Sequence, residues 1–378
     1  MSWAHALFWA GAAVTGYTYA GYPLLVAALA RLRPALRQPL LRDADLPDVT
    51  VVMAAYNEAA RLESKLRNLR QLDYPQQRLR VIVVSDGSTD GTERVAADDP
   101  GVRVLRSELR HGKAHALNLA LHEVTSDLVV FCDLRQDLDS AAVRRLVSDL
   151  QDPRVGAVSG ELVHRLGATQ AGQSIGLYWR YEKWIRKAES RLYATVGVTG
   201  ALYAMRRADW RELREGTILD DFETPMQVLR RGGRVLFEPQ AQAWDVLQAE
   251  SAGERRRKVR TLIGNFQSFT ANPWLFSPWA NPVWWQFLSH KVLRLFVPYA
   301  LAACLIGSAW APQMPYRAVF VLQALFYLLA AAGGCWPRAR RNRLVSFAQV
   351  FCDMNLAAVL ALGHFAAGRV DAKWEKTS

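Results

Sequence analysis

The sequence predicts an α/β domain with a mostly parallel sheet, flanked by transmembrane helices. Two patterns lead to this fold class. Short β-branched runs alternate with helix-like stretches between residues 49 and 160, and long uncharged stretches lie on both sides of that region. Strands that are apolar along their whole length and alternate with helices are typical of a parallel sheet covered on both faces. A chain of 378 residues has room for such a domain and several additional segments.

The charge balance is strongly basic, with 47 Lys and Arg against 35 Asp and Glu and a net charge of +12. An excess of this size suits nucleic acid, an anionic membrane surface or a phosphorylated substrate as the partner. The four cysteines form no CxxC motif and no spacing to histidine that would indicate a zinc site. Three of them lie in apolar segments, so we expect them to pack as small hydrophobic side chains.

The first apolar segment, Leu7 to Ala30, is almost uncharged and about as long as a bilayer requires. A signal peptide would place positive charge before a shorter apolar core and end at a small-residue cleavage site. Here the basic run "RLRPALR" follows the apolar segment. We therefore predict a retained anchor whose C-terminal end faces the cytoplasm.

Two further spans are predicted at residues 292–311 and 319–334, joined by a short turn that carries one charge. The flanks of this pair that would face the cytoplasm are basic. They contain His290, Lys291 and Arg294 on one side and the run 338–343 on the other. This orientation agrees with that of the anchor. We therefore predict a multi-pass protein of the inner (plasma) membrane with residues 38–290 in the cytoplasm.

Two other stretches suit the membrane interface. Residues 272–287 are rich in tryptophan, which is favoured at that depth. The stretch Phe347 to Ala367 contains three polar groups and has basic residues at both ends, so an interfacial or re-entrant helix fits better than a fourth span. The predicted divisions are an N-terminal anchor (1–37), a cytoplasmic domain (38–270), an interfacial aromatic segment (271–291), two transmembrane helices (292–334), and a basic loop, membrane-associated helix and tail (335–378).

Within the cytoplasmic domain the elements follow one another in a regular order. Strands are predicted at 49–54, 80–85, 102–106, 127–132 and 155–160, and helices at 58–72, 90–98, 113–124 and 140–150. Asp90 and Ser140 are the predicted N-caps of two of these helices. Ligands of such sheets bind beyond the carboxyl ends of the strands, where Glu58, Asp86 and Asp133 lie. Neither GxGxxG nor GxxxxGK[ST] is present, so neither a dinucleotide fold nor a P-loop is indicated.

Six segments together resemble a known family. "VVMAAYNEAARL", "VIVVSDGSTDGT" and "HGKAHALNLAL" are similar to the nucleotide-binding segments of family 2 glycosyltransferases. "VTGALYAMRR" and "LDDFETPMQVLRRGGRVLFEPQAQA" are similar to the acceptor-side and catalytic-base segments, and "RKVRTLIGNFQ" lies where membrane synthases carry Q-x-x-R-W. The resemblance implies a GT-A (Rossmann-like) fold. The predicted flanking helices are similar to those of the membrane-embedded branch of this family, which contains cellulose, chitin and hyaluronan synthases.

The resemblance implies roles for four residues of the nucleotide site. Asp86 would bind the nucleobase through its carboxylate, with a loop cap as the alternative. Tyr56 and Glu58 would contact the base and the ribose, although Tyr56 equally suits packing. Lys113 begins a predicted helix, from which its ammonium would reach a phosphate or simply be solvated.

Asp221 is the predicted catalytic residue. The pair Asp220–Asp221 lies where the family carries Glu-Asp, whose second carboxylate is the general base. An acceptor hydroxyl must lose its proton as it attacks the anomeric carbon, and a positioned carboxylate can accept it. Asp220 and Glu223 are better explained as acidic residues at a helix N-terminus.

Asp133 begins the family's Asp-x-Asp motif, but Arg135 occupies the position of the second aspartate, the usual metal ligand. Magnesium-type ions often take only one or two carboxylates and complete their shell with phosphate oxygens and water. The implied cofactor is a divalent metal (Mg²⁺ or Mn²⁺), held by Asp133 and, if the segment stays extended, by Asp137. Arg135 would pair with Asp137 or with the diphosphate, and Asp139 would cap the next helix.

The resemblance also implies cations for the departing diphosphate. Arg260 corresponds to the arginine of Q-x-x-R-W and Arg257 to its glutamine. Thr261 replaces the tryptophan, which weakens the resemblance to processive synthases. Arg255 and Arg256 fit binding to anionic lipid better. Trp374 and Thr377 match a further motif near the C-terminus of some synthases.

The predicted function is transfer of a sugar, with inversion, from a nucleotide sugar (UDP-linked) to a lipid-linked or glycan acceptor at the cytoplasmic membrane face. The predicted partners are those two substrates, the membrane and proteins of polysaccharide biosynthesis, with no nucleic acid. Three alternatives stay open: a processive synthase that exports its polymer, transfer to a polyprenyl phosphate, and an inert nucleotide-binding membrane module.

Overall fold

The computed structural model describes residues 2–34, 38–165, 170–246 and 252–369. Trp374 and Thr377 lie outside these residues. The strands are β1 (Val49–Ala55), β2 (Leu79–Asp86), β3 (Val102–Ser107), β4 (Leu128–Cys132), β5 (Asp137–Leu138), β6 (Val155–Arg165), β7 (Leu202–Arg206) and β8 (Arg234–Val246). The helices that accompany these strands are α3 (Ala59–Arg70), α4 (Thr92–Ala97), α5 (Lys113–Glu123), α6 (Ala142–Asp149), α7 (Gln170–Leu192), α8 (Asp220–Arg230) and α9 (Ala252–Ala271).

The remaining helices precede and follow these elements. They are α1 (Trp3–Gly16) and α2 (Tyr22–Arg31), joined by a π-turn at Tyr17–Gly21, then α10 (Trp284–Gln286), α11 (Leu293–Trp310), α12 (Met314–Cys335) and α13 (Arg343–Ala366).

The eight strands found in the described ranges form one sheet in the order β3-β2-β1-β4-β7-β6-β8-β5. Four neighbouring pairs are parallel (β3/β2, β2/β1, β1/β4 and β6/β8) and three are antiparallel (β4/β7, β7/β6 and β8/β5). The α/β class is confirmed, and the sheet is a mixed one with a parallel half. The antiparallel pairs come from β5, β7 and β8, which the strand prediction did not include.

The predicted elements form at their expected places, but two helix caps differ. The helix predicted from residue 90 begins at Thr92, whose backbone N–H donates to Asp90 Oδ1 at 3.0 Å. Ser140 was predicted as a cap, but the backbone N–H of Ala141 donates to Asp139 Oδ1 at 3.1 Å. This contact closes a turn before α6, which begins at Ala142 after an Ala141 N-cap without a side-chain cap hydrogen bond, so neither Ser140 nor Asp139 caps the helix as predicted.

The sheet is packed on both faces, as continuous apolar strands require. Alternate residues of β1 point to opposite sides, so Val51 and Met53 lie in the cluster that contains residues of α3 and α6, while Val52 lies in the cluster that contains residues of α5, α8 and α9. Leu62 of α3 and Leu117 of α5 are both buried against these two faces. This rigid centre fixes the strand ends that carry the polar residues.

Among the residues that the structure describes, three helical segments are long and apolar enough to cross a membrane: Trp284–Trp310, Met314–Cys335 and Arg343–Ala366. The first two contain the predicted spans 292–311 and 319–334, almost in full. The third, α13, is one uninterrupted helix of 24 residues, so its length also allows the fourth span that the sequence left open as the alternative.

The N-terminal helix α1 packs along α11 through small residues. A Cβ placed on Gly11 would lie 2.4 Å from the backbone oxygen of Ala300 and 2.9 Å from Cys304 Sγ. A Cβ on Gly307 would lie 2.6 Å from the backbone nitrogen of Phe8. Glycines allow helix backbones to approach closely, as in membrane bundles. Insertion of α1 into the membrane stays a prediction, supported by its packing on a membrane-length helix.

Replacing Gly11 with alanine is expected to lower the melting temperature of the detergent-solubilised protein, because the new methyl group would overlap α11. Gly16, also on α1, is the matched control, since a Cβ there meets nothing within 4 Å. Gly16→Ala should raise stability by about 0.5–1 kcal/mol, the usual gain for alanine over glycine inside a helix. Equal responses of the two variants would contradict the close approach of α1 and α11.

Candidate active site

The parallel half of the sheet brings three predicted site segments to one edge. β2, β1 and β4 are parallel neighbours, so their carboxyl ends lie side by side. Residues 56–58 follow β1, Asp86 ends β2 and Asp133 follows β4. This edge is where ligands of open α/β sheets bind.

The loops after β1 and β2 are held together by hydrogen bonds. Asn57 adopts a left-handed conformation (φ 53°), which asparagine tolerates better than most residues. Its backbone N–H donates to Ser88 Oγ at 3.1 Å, and its Oδ1 accepts from the backbone N–H of Thr89 at 2.8 Å. The N–H of Glu58 donates to Thr92 Oγ1 at 3.0 Å. The two loops therefore form one preorganised wall of the site.

Asp86 is fully buried, and each of its carboxylate oxygens accepts a backbone hydrogen bond. The donors are the N–H groups of His111 and Gly112, both at 2.8 Å. Gly112 has φ 102° and ψ 167°, a conformation essentially reserved for glycine. Asp86 thus fixes the loop that leads into α5, as the loop-cap alternative describes. Its contact with a nucleobase stays a prediction.

Tyr56 and Glu58 lie beside Asp86 on the same wall and have protein partners of their own. The guanidinium of Arg110 lies 4.0 Å from the centre of the Tyr56 ring. Glu58 forms an ion pair with Arg61 at 3.1 Å. A base stacked on that face of Tyr56 must displace Arg110 or use the opposite face, so both nucleotide contacts stay predictions.

Lys113 lies at the centre of a cluster of carboxylates. Its Nζ is 3.1 Å from Asp133 Oδ1 and 3.2 Å from Asp220 Oδ2. Burial lowers the pKa of Lys113, but Asp133 and Asp220 outweigh it and hold the pKa well above its usual range. Lys113 is therefore a permanent cation that connects the end of β4 to the start of α8. The sequence predicted Asp220 only as a helix-start acid, and its ion pair is a long-range contact.

Asp221 follows Asp220 in the first turn of α8. Burial and then the neighbouring charge of Asp220 raise the pKa of Asp221 to about 6, while Lys113 and Lys291 oppose the shift. The backbone oxygen of Asp221 accepts from the N–H of Val198 at 2.9 Å. A Cβ on Gly200 would lie 3.4 Å from Asp221 Oδ2. The segment 197–200 therefore runs directly over the carboxylate predicted to be the base.

Arg135 does not pair with Asp137. Its guanidinium lies 2.8 Å from Oδ2 of the buried Asp245, which also accepts from Gln136 Nε2 at 3.0 Å. The predicted ion pair between Arg135 and Asp137 was wrong because β5 lies beside β8, where Asp245 is the nearer carboxylate. Asp137 itself is exposed at the start of β5.

The residues present fit a metal held by few carboxylates. Across the described ranges, no three His, Cys, Asp or Glu side chains are grouped so that they could hold an ion. Asp133 is 42% exposed and pairs with Lys113 through Oδ1. A single exposed carboxylate suits an ion that takes most of its ligands from a diphosphate and water.

Arg257 and Arg260 lie on α9, which packs against the segment before Asp220. A Cβ on Gly264 would lie 2.6 Å from Leu219 Cγ, so glycine is required for this approach. Gln267 Oε1 accepts from the N–H of Ile218 at 3.0 Å. Residues four apart share a helix face, which places Arg260 on the face that contacts this segment. The diphosphate contacts of both arginines stay predictions.

Two cations near Asp221 were missed by sequence reasoning. A Cβ placed on Gly197 would lie 3.9 Å from the Nζ of Lys291. The same position lies 3.7 Å from the backbone oxygen of Asp221, so the two residues are neighbours at Gly197. Arg186 of α7 donates to Ser159 Oγ at 2.8 Å, and the charge of Asp221 is close enough to interact with its guanidinium. Lys291 had been interpreted only as a cytoplasmic flank of a span, and nothing in its local sequence points to Asp221.

Comparisons with known proteins agree with this geometry. The family model described as "Glycosyl transferase family 2" matches residues 50–213. Poly-beta-1,6-N-acetyl-D-glucosamine synthase of Staphylococcus aureus (strain COL) is 24% identical over 240 residues, which cover 61% of this chain and 58% of the relative. The synthase of the same name from Staphylococcus epidermidis is 21% identical over 234 residues, covering 60% and 56%. The chain thus matches less than two thirds of the length of these relatives.

A solved structure is similar over almost the whole chain. It is the mannosyltransferase PcManGT from Pyrobaculum calidifontis in complex with GDP-Man and Mn²⁺, with 27% identity and a TM-score of 0.71 over 96% of this chain and 99% of that one. The match includes the mixed sheet and the flanking helices. With the ordered motifs at the sheet edge, these similarities show that residues 50–213 match glycosyl transferase family 2 and that the chain has the GT-A fold.

Proposed function

We propose that this chain is a membrane-bound, inverting glycosyltransferase. It transfers a sugar from a nucleotide sugar, UDP-linked as the sequence suggested, to a lipid-linked or glycan acceptor at the cytoplasmic membrane face. The observation that carries the proposal is Asp221, a carboxylate beside the acceptor-side segment 197–200 whose pKa is raised to about 6. A general base works best when its pKa lies near the operating pH.

The groups at this site account for the proton, the bond formed and the bond broken in the proposed reaction. Asp221 accepts the proton of an acceptor hydroxyl as that oxygen forms a bond to the anomeric carbon. The bond from this carbon to the diphosphate oxygen breaks on the opposite face, so the configuration inverts and a nucleoside diphosphate leaves. Lys113, held beside Asp133 and Asp220, and Arg260 with Arg257 on α9 are the cations proposed to hold its charge.

A divalent metal, Mg²⁺ or Mn²⁺, is the proposed cofactor, since PcManGT was solved with Mn²⁺. Asp133 would hold it, with Asp137 as the second candidate ligand. When bound, the ion would supply positive charge to the diphosphate oxygens. Lys113 would share that work, because its ammonium already touches Asp133.

The proposed location is the inner (plasma) membrane, multi-pass, with residues 38–290 cytoplasmic. It is supported by three helices of membrane length and by basic flanks on the side of the catalytic domain. Trp279 is 94% exposed between α9 and α10, as expected of an aromatic residue at the interface.

A processive synthase that exports its polymer is the second candidate. The similarity to poly-beta-1,6-N-acetyl-D-glucosamine synthases favours it, and partners in polysaccharide biosynthesis would then be expected. Thr261 in place of the family's tryptophan argues against it. The length of the product made by purified protein separates the two candidates.

The proposed function is tested by a panel of UDP-N-acetylglucosamine, UDP-glucose and GDP-mannose, with nucleotide release as the readout. We expect release from a UDP-sugar, increased by added Mn²⁺ and reduced by a chelator. Preference for GDP-mannose would keep the enzyme class and correct the donor. Absence of release from every donor, with nucleotide binding intact, would instead favour an inert nucleotide-binding module.

A further inference from the structure

Two cations, Lys291 and Arg186, lie close to Asp221. Lys291 belongs to the π-turn that joins α10 to α11, seven residues after the start of a membrane-length helix at Trp284. Its Nζ lies 5.6 Å from the centre of the Phe222 ring. The guanidinium of Arg186 lies 4.7 Å from the centre of the Phe237 ring. Both side chains are partly buried, so each charge has lost part of its hydration.

The nearest carboxylates are already committed to other cations. Glu182 pairs with His290 Nε2 at 2.7 Å and with Arg294 at 2.5 Å. Glu189 accepts from His290 Nδ1 at 2.7 Å and from the Tyr22 hydroxyl. In the part of the chain that the structure describes, no ion pair within 4.0 Å includes Arg186 or Lys291. The two cations therefore have capacity for a further anion, with Asp221 as the remaining carboxylate near them.

These cations are separate from those proposed for the donor. Lys113 Nζ lies 3.5 Å from the position of a Cβ on Gly200, whereas Lys291 Nζ lies 3.9 Å from that of Gly197. The short segment between the two glycines thus has Lys113 at one end and Lys291 at the other, with Asp221 between them. A donor diphosphate beside Lys113 leaves the Lys291 end for the acceptor.

We propose that Lys291 and Arg186 bind the phosphate of an anionic lipid-linked acceptor and so place its sugar hydroxyl at Asp221. Ammonium and guanidinium groups bind phosphate strongly through charge-assisted hydrogen bonds. The lipid source is favoured over a free anion because Lys291 lies at the start of a membrane-length helix, where Trp285 donates to the Tyr17 hydroxyl at 2.9 Å. This inference rests on the proposed function and names the class of its acceptor.

The test measures binding of farnesyl phosphate, farnesol, inorganic phosphate and UDP to the full chain in a neutral detergent. We expect farnesyl phosphate to bind more tightly than farnesol or inorganic phosphate. Lys291→Met should weaken farnesyl phosphate binding by about tenfold to a hundredfold, the usual loss for a hydrogen bond to a charged group. Farnesol should bind both proteins equally, since it lacks the phosphate.

Two further variants make the result specific. Lys187→Met removes an exposed lysine next to Arg186 and should change nothing, whereas Lys291→Arg keeps the charge and should retain binding. Equal binding of farnesyl phosphate and farnesol to the unmodified chain, or an unchanged Lys291→Met, would overturn the inference. An equal loss of UDP affinity would also overturn it, by assigning Lys291 to the donor. The proposed function itself fails only if no donor releases nucleotide.

Discussion

Asparagine in place of Asp221 is expected to reduce sugar transfer by about 10²–10⁴-fold, the usual contribution of a positioned general base. The substitution keeps the shape of the side chain but removes the group that takes the proton. Donor binding should persist, because the diphosphate cations Lys113 and Arg260 are untouched. Transfer rate and nucleotide affinity, measured on the same preparation, separate these effects.

Folding should also survive the change. Burial raises the pKa of Asp221, so its charge is disfavoured in the folded state and costs stability above the ordinary pKa of an aspartate. Asparagine removes that cost, and the melting temperature of the variant should not fall. Full transfer activity in Asp221→Asn would contradict the assignment of the base.

The pH profile provides an independent check. Asp221 must be ionised to accept a proton, so the transfer rate should rise as pH increases through about 6 and be lost below it. Asp220→Asn is the matched control, because the charge of Asp220 is the second cause of the raised pKa, after burial. Removing that charge should move the acidic limb of the profile to lower pH. A limb that does not move would mean that another group controls the profile.

The parallel half of the fold was predictable because its signals are local. Strands β1, β2 and β4 contain apolar runs that end in polar residues, and this pattern places Glu58, Asp86 and Asp133 at one edge without knowledge of the tertiary structure. β7 and β8 lie in segments that were interpreted by their motifs alone. β7 lies antiparallel between β4 and β6, so it pairs with strands that are distant in the sequence. Local periodicity does not encode such pairing.

The partners of the site residues were predictable only in part. Loop capping by Asp86 was foreseen as an alternative, since turn-rich loops commonly need such a carboxylate. The pairs Lys113–Asp220 and Arg135–Asp245 join residues about a hundred positions apart, so no spacing rule indicates them. Lys291 reaches Asp221 from outside the catalytic domain. The residue types at the site could therefore be predicted from the sequence, but the ion pairs between them could be identified only from the structure.

Substitutions of Asp133 and Asp137 are expected to change the metal dependence of sugar transfer in different ways. Asp133→Asn should lower transfer on the order of 100-fold, because a ligand to the ion and to the Lys113 cluster is lost. Asp137→Asn should raise the Mn²⁺ concentration needed for half-maximal rate, with full rate regained at high Mn²⁺. Titrations with Mn²⁺ at saturating donor distinguish the two responses.

The control for Asp133 must separate its metal role from its ion pair. Asp133→Glu keeps a carboxylate that can reach both the ion and Lys113, so it should retain more activity than the asparagine variant. A metal response of Asp133→Asn identical to that of the unmodified chain would remove Asp133 from the metal site. In that case the ammonium of Lys113, rather than a bound ion, would be the principal charge that stabilises the departing diphosphate.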